Sequence, residues 1–434
     1  MKSLIHKIQS HPKYARVFEW GKIISIAGSA QMLVQATGLI TGILLIRLLP
    51  TKEYAYYTLA NTMLGTMTVL ADGGISSGVM AQGGKVWNDR EKLGQVLNTG
   101  LELRKQFAVF SMLVALPILI YLLWHQGASL WVIGLVVVTI IPSFFAALSD
   151  SLLEIVPKLH QDIKSLQFNQ AMVGVMRLII STAAIFFFPF TFVALLGNGI
   201  PRIIGNIKLR KIANKFAFSN ASPDLEYKRS ILKNVKKILP GSIYYCISGQ
   251  IQIWLISFFG STESIAHIGA LGRLTMVMTL FGVVFNTLFE PRFARLPNNT
   301  KLVKGRFLQL LGILILVSVL ICGLVWLFPA QILYVLGKSY QGLNYEVLLI
   351  TSGSCLALIT GTVYRLNSSR GIIPNPYIFI PSIIITQAIV LSIIDLSIVT
   401  NVLWFSIIVS AAGLLIRVSH FYLEVGKVEK KITN

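Results

Sequence analysis

Long apolar stretches alternate with short polar ones from Ile23 to Tyr422. Each approaches the roughly 20 residues that a helix needs to cross the hydrocarbon of a bilayer. Hydropathy places spans near 22–47, 55–80, 106–124, 131–150, 167–188, 190–206, 238–259, 265–290, 306–328, 345–364, 376–396 and 400–423. No segment remains for a sizeable soluble domain. A backbone immersed in lipid must satisfy its own hydrogen bonds, so the pattern predicts an all-α integral membrane protein of about twelve transmembrane helices. The sixth span is the least distinct: Pro201 and Arg202 shorten it, and only Pro189 and Phe190 separate it from the fifth.

Composition agrees, with 54% hydrophobic and 13% charged residues in a chain of 434. The net charge of +21 would suggest nucleic acid in a soluble protein. Here it sorts by loop instead. Thirty-three of the 38 basic residues fall on one side of the twelve-span topology, with only Arg47, Lys52 and Lys338 in the opposite loops. The positive-inside rule then puts both termini in the cytoplasm and removes any need for nucleic acid. Trp124 and Trp131 flank a short outer loop, as interfacial anchors do. The three cysteines lie in apolar windows, so neither a disulfide nor a metal site is expected. Residues 1–21 form a basic cytoplasmic lead-in without a cleavage site.

The basic stretch 207–237 reads as a cytoplasmic linker between an amino-terminal bundle, 22–206, and a carboxy-terminal bundle, 238–424, followed by a tail over 425–434. Two sets of six spans share one orientation, which predicts a parallel repeat. A faint echo accompanies it: Thr51-Lys52-Glu53 with Ala60 precedes Ser261-Thr262-Glu263 with Ala270 by a constant offset.

Ionisable groups inside spans are costly unless they face protein or water. Arg177 and Arg273, one per half, are predicted to line a water-filled cavity and to attract an anion, preferably phosphate, which guanidinium grips with two parallel hydrogen bonds. The competing reading is an interhelical pair, with Asp72 as one partner, or a cap on backbone carbonyls. Arg47 is either an exit contact or a snorkelling interfacial residue. Asp72, ahead of Gly73 and Gly74, is a candidate site for an H+ or Na+ coupling ion, or equally a fixed partner for an arginine. Asp150 and Glu154 share a helix face but lie near a span end, where solvation accounts for them. Among the amides, Gln31, Asn61, Asn169 and Gln250 are candidates for sugar contacts, while others glue helices together. Gly38 and Gly42 read as a close-packing pair. The chain contains no phosphate-cradling glycine loop, metal-spaced cluster or nucleophile elbow, so no cofactor is expected and transport is favoured over catalysis.

The run from Gly28 to Gly42, Arg47-Leu48-Leu49-Pro50 with Glu53-Tyr54, and Leu70-Ala71-Asp72-Gly73-Gly74-Ile75 with Gly78 resemble the amino-terminal signature of Wzx-type polysaccharide flippases. These belong to the multidrug, oligosaccharidyl-lipid and polysaccharide exporter superfamily. The resemblance covers residues 20 to about 105 and rests beyond that on helix count. It implies two six-helix bundles around a cationic cavity in the bacterial inner membrane. The implied substrate is an undecaprenyl-pyrophosphate-linked oligosaccharide, moved to the periplasmic leaflet for O-antigen or a similar glycan. Membrane lipid, a polysaccharide polymerase and chain-length machinery are the implied partners. Relatives that flip the peptidoglycan precursor usually have fourteen helices, not twelve. Two alternatives remain: a cation-coupled drug exporter of the same superfamily, and a polymerase or ligase, for which the outer loop 329–344, with Lys338 as its sole charge, offers little chemistry.

Overall fold

The computed structural model describes residues 32–294, 296–297, 299–370, 372 and 374–433. The lead-in over 1–21 and Gln31 lie outside them. Every regular element among the described residues is helical: α1 (Met32–Leu48), α2 (Thr51–Asp72), α3 (Ile75–Gly83), α4 (Arg90–His125), α5 (Leu130–Leu153), α6 (Ile155–Leu159), α7 (Ile163–Phe187), α8 (Thr191–Ala213), α9 (Leu225–Phe259), α10 (Thr262–Ala294), α11 (Thr300–Leu327), α12 (Pro329–Leu336), a 3-10 turn (Lys338–Tyr340), α13 (Asn344–Ser369), α14 (Pro376–Leu391) and α15 (Val399–Thr433). Each of the twelve hydropathy spans coincides with one long helix, the second with α2 and α3 together. Six of these long spans precede Leu225 and six lie from it onward among the described residues.

Three boundaries differ from the sequence reading, each for a local reason. The second span breaks at Gly73 and Gly74, whose φ angles of 47° and 97° are left-handed. A Cβ at Gly74 would meet the Cβ of Ile238 at 2.9 Å, so the break also admits α9. The sixth span, read as 190–206 and shortened by Pro201 and Arg202, is longer, because α8 runs on to Ala213. Within a membrane, neighbouring helices can compensate the backbone bond that proline removes. The stretch 207–237 is mostly helix rather than open linker, and the turn it contains is pinned to α4. Asn98 donates to the carbonyls of Ser219 and Ala221, and the Asp224 N–H donates to Thr99 Oγ1 at 2.9 Å.

The chain forms two compact units. Unit 1 comprises the residues up to Leu49 and Leu59–Ser248; unit 2 comprises Pro50–Thr58 and the residues from Gly249 on. Both α2 and α9 therefore pass from one unit to the other. Unit 1 is centred on branched aliphatics, among them Ile75, Val79, Val96, Leu152, Leu209, Ile231 and Val235. Unit 2 is centred on aromatic rings, with Phe307 and Phe421 stacked at a centroid distance of 4.0 Å beside Phe285 and Phe293. Large apolar side chains also cover the outside: Leu316, Val319 and Leu320 on α11 are each about 60% exposed. That surface suits hydrocarbon and would be costly in water.

Candidate functional site

In unit 1, α7 and α8 pack along their lengths, and small residues set the approach. A Cβ on Gly205 would overlap Val173 Cγ2, and the freed space lets Asn169 Nδ2 donate to the Gly205 carbonyl at 3.1 Å. Beside that contact opens a cavity of about 400 Å³, walled by α1, α7, α8 and the end of α5. Arg177 lines it, with Asn169, Gln170, Asp150, Glu154 and Arg202. Gly38 lines it too, and a Cβ there would touch nothing within 4 Å. This corrects the packing role read for Gly38: the glycine widens the cavity wall.

The charges around the cavity are ordered in pairs. Arg202 Nε donates to Asp150 Oδ2 at 3.0 Å, while Asn206 Nδ2 donates to Asp150 Oδ1 at 2.6 Å. Glu154 accepts from Gln170 Nε2 at 2.8 Å and from Lys158 Nζ at 2.7 Å. Each carboxylate thus has its own cation. Sequence reasoning left Asp150 and Glu154 to solvent and counted Arg202 among topological loop charges. The four-residue spacing of the two acids was the available signal, but the proline at 201 concealed that α8 carries Arg202 alongside them.

Asp72 is not paired with Arg177. Its carboxylate receives the Arg104 guanidinium, together with the Ser76 hydroxyl at 2.7 Å and the Ser76 N–H at 3.1 Å. Arg104 also donates to the Leu148 carbonyl and to Ser151 Oγ, and is only 2% exposed. Arg104, which stands just before the third apolar span at 106–124, is an interior cation of α4. The kink at Gly73–Gly74 turns α3 so that Ser76 joins the same cluster.

The remaining candidates are dispersed. Arg273 sits in unit 2 on α10, beside the hydroxyls of Tyr54 and Tyr57 from the first turns of α2. A Cβ on Gly269 would overlap Thr58 Oγ1, so the two segments that carry the sequence echo pack directly on each other. Tyr54 is fully buried, as is Tyr340, whose ring meets His267 edge-on at 5.8 Å. Arg47 and Asn61 are exposed, and Gln250 is half-buried on α9. Gln252, two residues on, donates to Ser406 Oγ and so ties α9 to α15. The structure thus brings Arg177 and Asn169 together, sets Asp72 with Arg104, and leaves Arg273, Arg47, Asn61 and Gln250 elsewhere.

No protein-family model matches this chain, and no curated protein does. Solved structures do. An inward-facing multidrug resistance MATE family transporter of the MOP superfamily aligns with a TM-score of 0.69 over 93% of this chain and 98% of its own, at 13% identity. The lipid II flippase MurJ, in an inward closed conformation, aligns with a TM-score of 0.73 over 92% of this chain and 87% of its own, at 15% identity. A MOP superfamily transporter from Pyrococcus furiosus, described as having a binding pocket of reverse polarity, aligns with a TM-score of 0.62 over 97% of this chain and 98% of its own, at 15% identity. The chain therefore has the fold of MOP superfamily transporters.

Proposed function

We propose that this chain is a membrane flippase of the MOP superfamily, and that it moves undecaprenyl-pyrophosphate-linked oligosaccharide from the cytoplasmic to the periplasmic leaflet of a bacterial inner membrane. The fold supports transport by alternating access, in which a polar head group crosses inside protein while its lipid tail stays in hydrocarbon. The observation that carries the substrate class is the cavity of unit 1. It sets the guanidinium of Arg177 among amides, Asn169 and Gln170, with a glycine opposite that leaves room. Guanidinium suits phosphate, and amides suit sugar hydroxyls. Arg273 and the tyrosines around it are the corresponding candidate in unit 2, with Arg47 as an exit contact. An inside-negative potential favours outward movement of an anion by about 2.3 kcal/mol per charge per 100 mV, so an H+ or Na+ coupling ion at Asp72 is compatible with the scheme but not required by it. Polysaccharide polymerase and chain-length machinery are the partners that such a product implies.

A cation-coupled drug exporter is the second reading, favoured by Asp150 and Glu154 in the same cavity. Both carboxylates are already paired, with Arg202 and Lys158, so they do not by themselves make the cavity a site for a cation. The test is reconstitution in liposomes with a labelled undecaprenyl pyrophosphate oligosaccharide. Arg177→Ala should reduce flipping at least about tenfold, the equivalent of one strong charged hydrogen bond, and Arg177→Lys should retain part of it. Gly38→Leu should hinder transport, because its Cβ meets no neighbour and the side chain extends into the cavity that Gly38 lines. Full transport by the alanine variant, or drug sensitivity in cells lacking the protein, would favour the exporter.

A further inference from the structure

The lysines near the ends of α7 and α8 are more ordered than a topological signal requires. Lys208, Lys211 and Lys215 recur at i, i+3 and i+7 on α8, and Lys164 stands one turn before Phe168 on α7. Those spacings place each set on one helix face. The two faces border a single open cavity of about 970 Å³, whose wall holds all four lysines, Phe168 and Ile212. No described carboxylate pairs with any of the four. Glu154 is taken by Lys158, and Asp150 by Arg202. Asp162 is occupied in capping α7 through the Ser165 N–H. Lys208 Nζ meets only the uncharged thioether of Met172, at 2.7 Å.

Scattered loop lysines suffice to orient a membrane protein; four that converge on one concavity repel each other and call for an anion. The wall also restricts what kind. Phe168 is 73% exposed, and a small hydrated anion gains nothing from that ring, whereas a molecule with both a phosphate and a hydrocarbon tail gains from both parts of the groove. We propose that the groove between α7 and α8 binds an anionic glycerophospholipid, with its phosphate among the four ammonium groups and an acyl chain along Phe168 and Ile212. The site adjoins the cavity of Arg177, sharing Asn169 as a wall residue, but its four lysines are not part of that cavity.

The experiment uses the full chain in phosphatidylcholine nanodiscs supplemented with phosphatidylglycerol, with bound lipid read by native mass spectrometry. Wild type should retain phosphatidylglycerol over phosphatidylcholine by about tenfold, in keeping with basic pockets that recognise anionic head groups. Lys208→Gln/Lys211→Gln/Lys215→Gln should erase that preference, and Phe168→Ala should lower retention of phosphatidylglycerol. Lys301→Gln/Lys304→Gln, on α11, should leave both unchanged, as should Arg177→Ala, whose loss of flipping concerns the other site. If the triple variant fails to fold, Lys164→Gln alone should still weaken the preference. Equal retention of the two lipids by wild type, or an unchanged preference in the lysine variants, would overturn the assignment. Competition by soluble inorganic pyrophosphate as effective as that by phosphatidylglycerol would make the groove a general anion site and overturn it as well.

Discussion

The two units hold their interior arginines in different ways. In unit 1 the partner is a carboxylate: Asp72 for Arg104 and Asp150 for Arg202. In unit 2 Arg273 lies beside tyrosine hydroxyls, and Arg370 and Arg417 are held by backbone carbonyls and ring faces. Arg417, 9% exposed, lies over Phe379 at 4.7 Å and Tyr364 at 5.2 Å while its Nη1 donates to the Thr360 carbonyl at 3.4 Å. Arg370 donates to the carbonyls of Phe293 and Leu296. An ion pair in a low dielectric commits both charges, since removing either strands the other. Rings and carbonyls carry no net charge, so a cation held by them can be removed or displaced at lower cost. Unit 1 is thereby built around fixed charge and unit 2 around polarisable surface, a difference that follows the aliphatic and aromatic character of their cores.

The comparison can be broken most severely at Arg104. Arg104→Met should cost about 2–3 kcal/mol, because it leaves the half-buried Asp72 without its cation and with only Ser76 as partner, and the double variant Arg104→Met/Asp72→Leu should recover most of that loss. Chemical unfolding in detergent measures both; equal stability of single and double variants would mean that the pair is not the organising interaction. Arg417→Met should cost less, about 1–2 kcal/mol, since cation–π contacts are worth about 0.5–2 kcal/mol and no charge is stranded. A loss as large as that at Arg104 would erase the contrast between units. The smallest effect concerns a surface charge of unit 1. Asp89 caps α4, and the N–H groups of Lys92 and Glu91 hold its carboxyl below the ordinary value of 3.8. The folded value lies below the unfolded one, so the cap contributes its full stability above pH 3.8 and loses it as the pH falls through the folded value. Hydrogen exchange of the Glu91 and Lys92 amides should accelerate, relative to intrinsic rates, on acidification below that value, and Asp89→Asn should flatten the dependence.

The sequence by itself determined the all-helical fold and the placing of its long helices, and it put a few charges inside spans. Those properties follow from hydropathy and from the cost of charge in hydrocarbon, which act on each segment separately. Hydropathy ran the second span through Gly73–Gly74, where the helix breaks, because it does not register backbone conformation. Tertiary structure alone decided which charges meet. Arg104 looked like a loop residue because Lys105 and Gln106 follow it, and Arg202 because Pro201 precedes it, yet the helices that run past those positions carry them inward. Asp72 could have faced any arginine, and its choice of Arg104 depends on how α3 turns after the glycines. Gly38 had the spacing of a packing residue, but only the position of α7 shows that its missing side chain leaves space. Pairing between helices distant in the chain depends on their rotation and depth, and no local window encodes either.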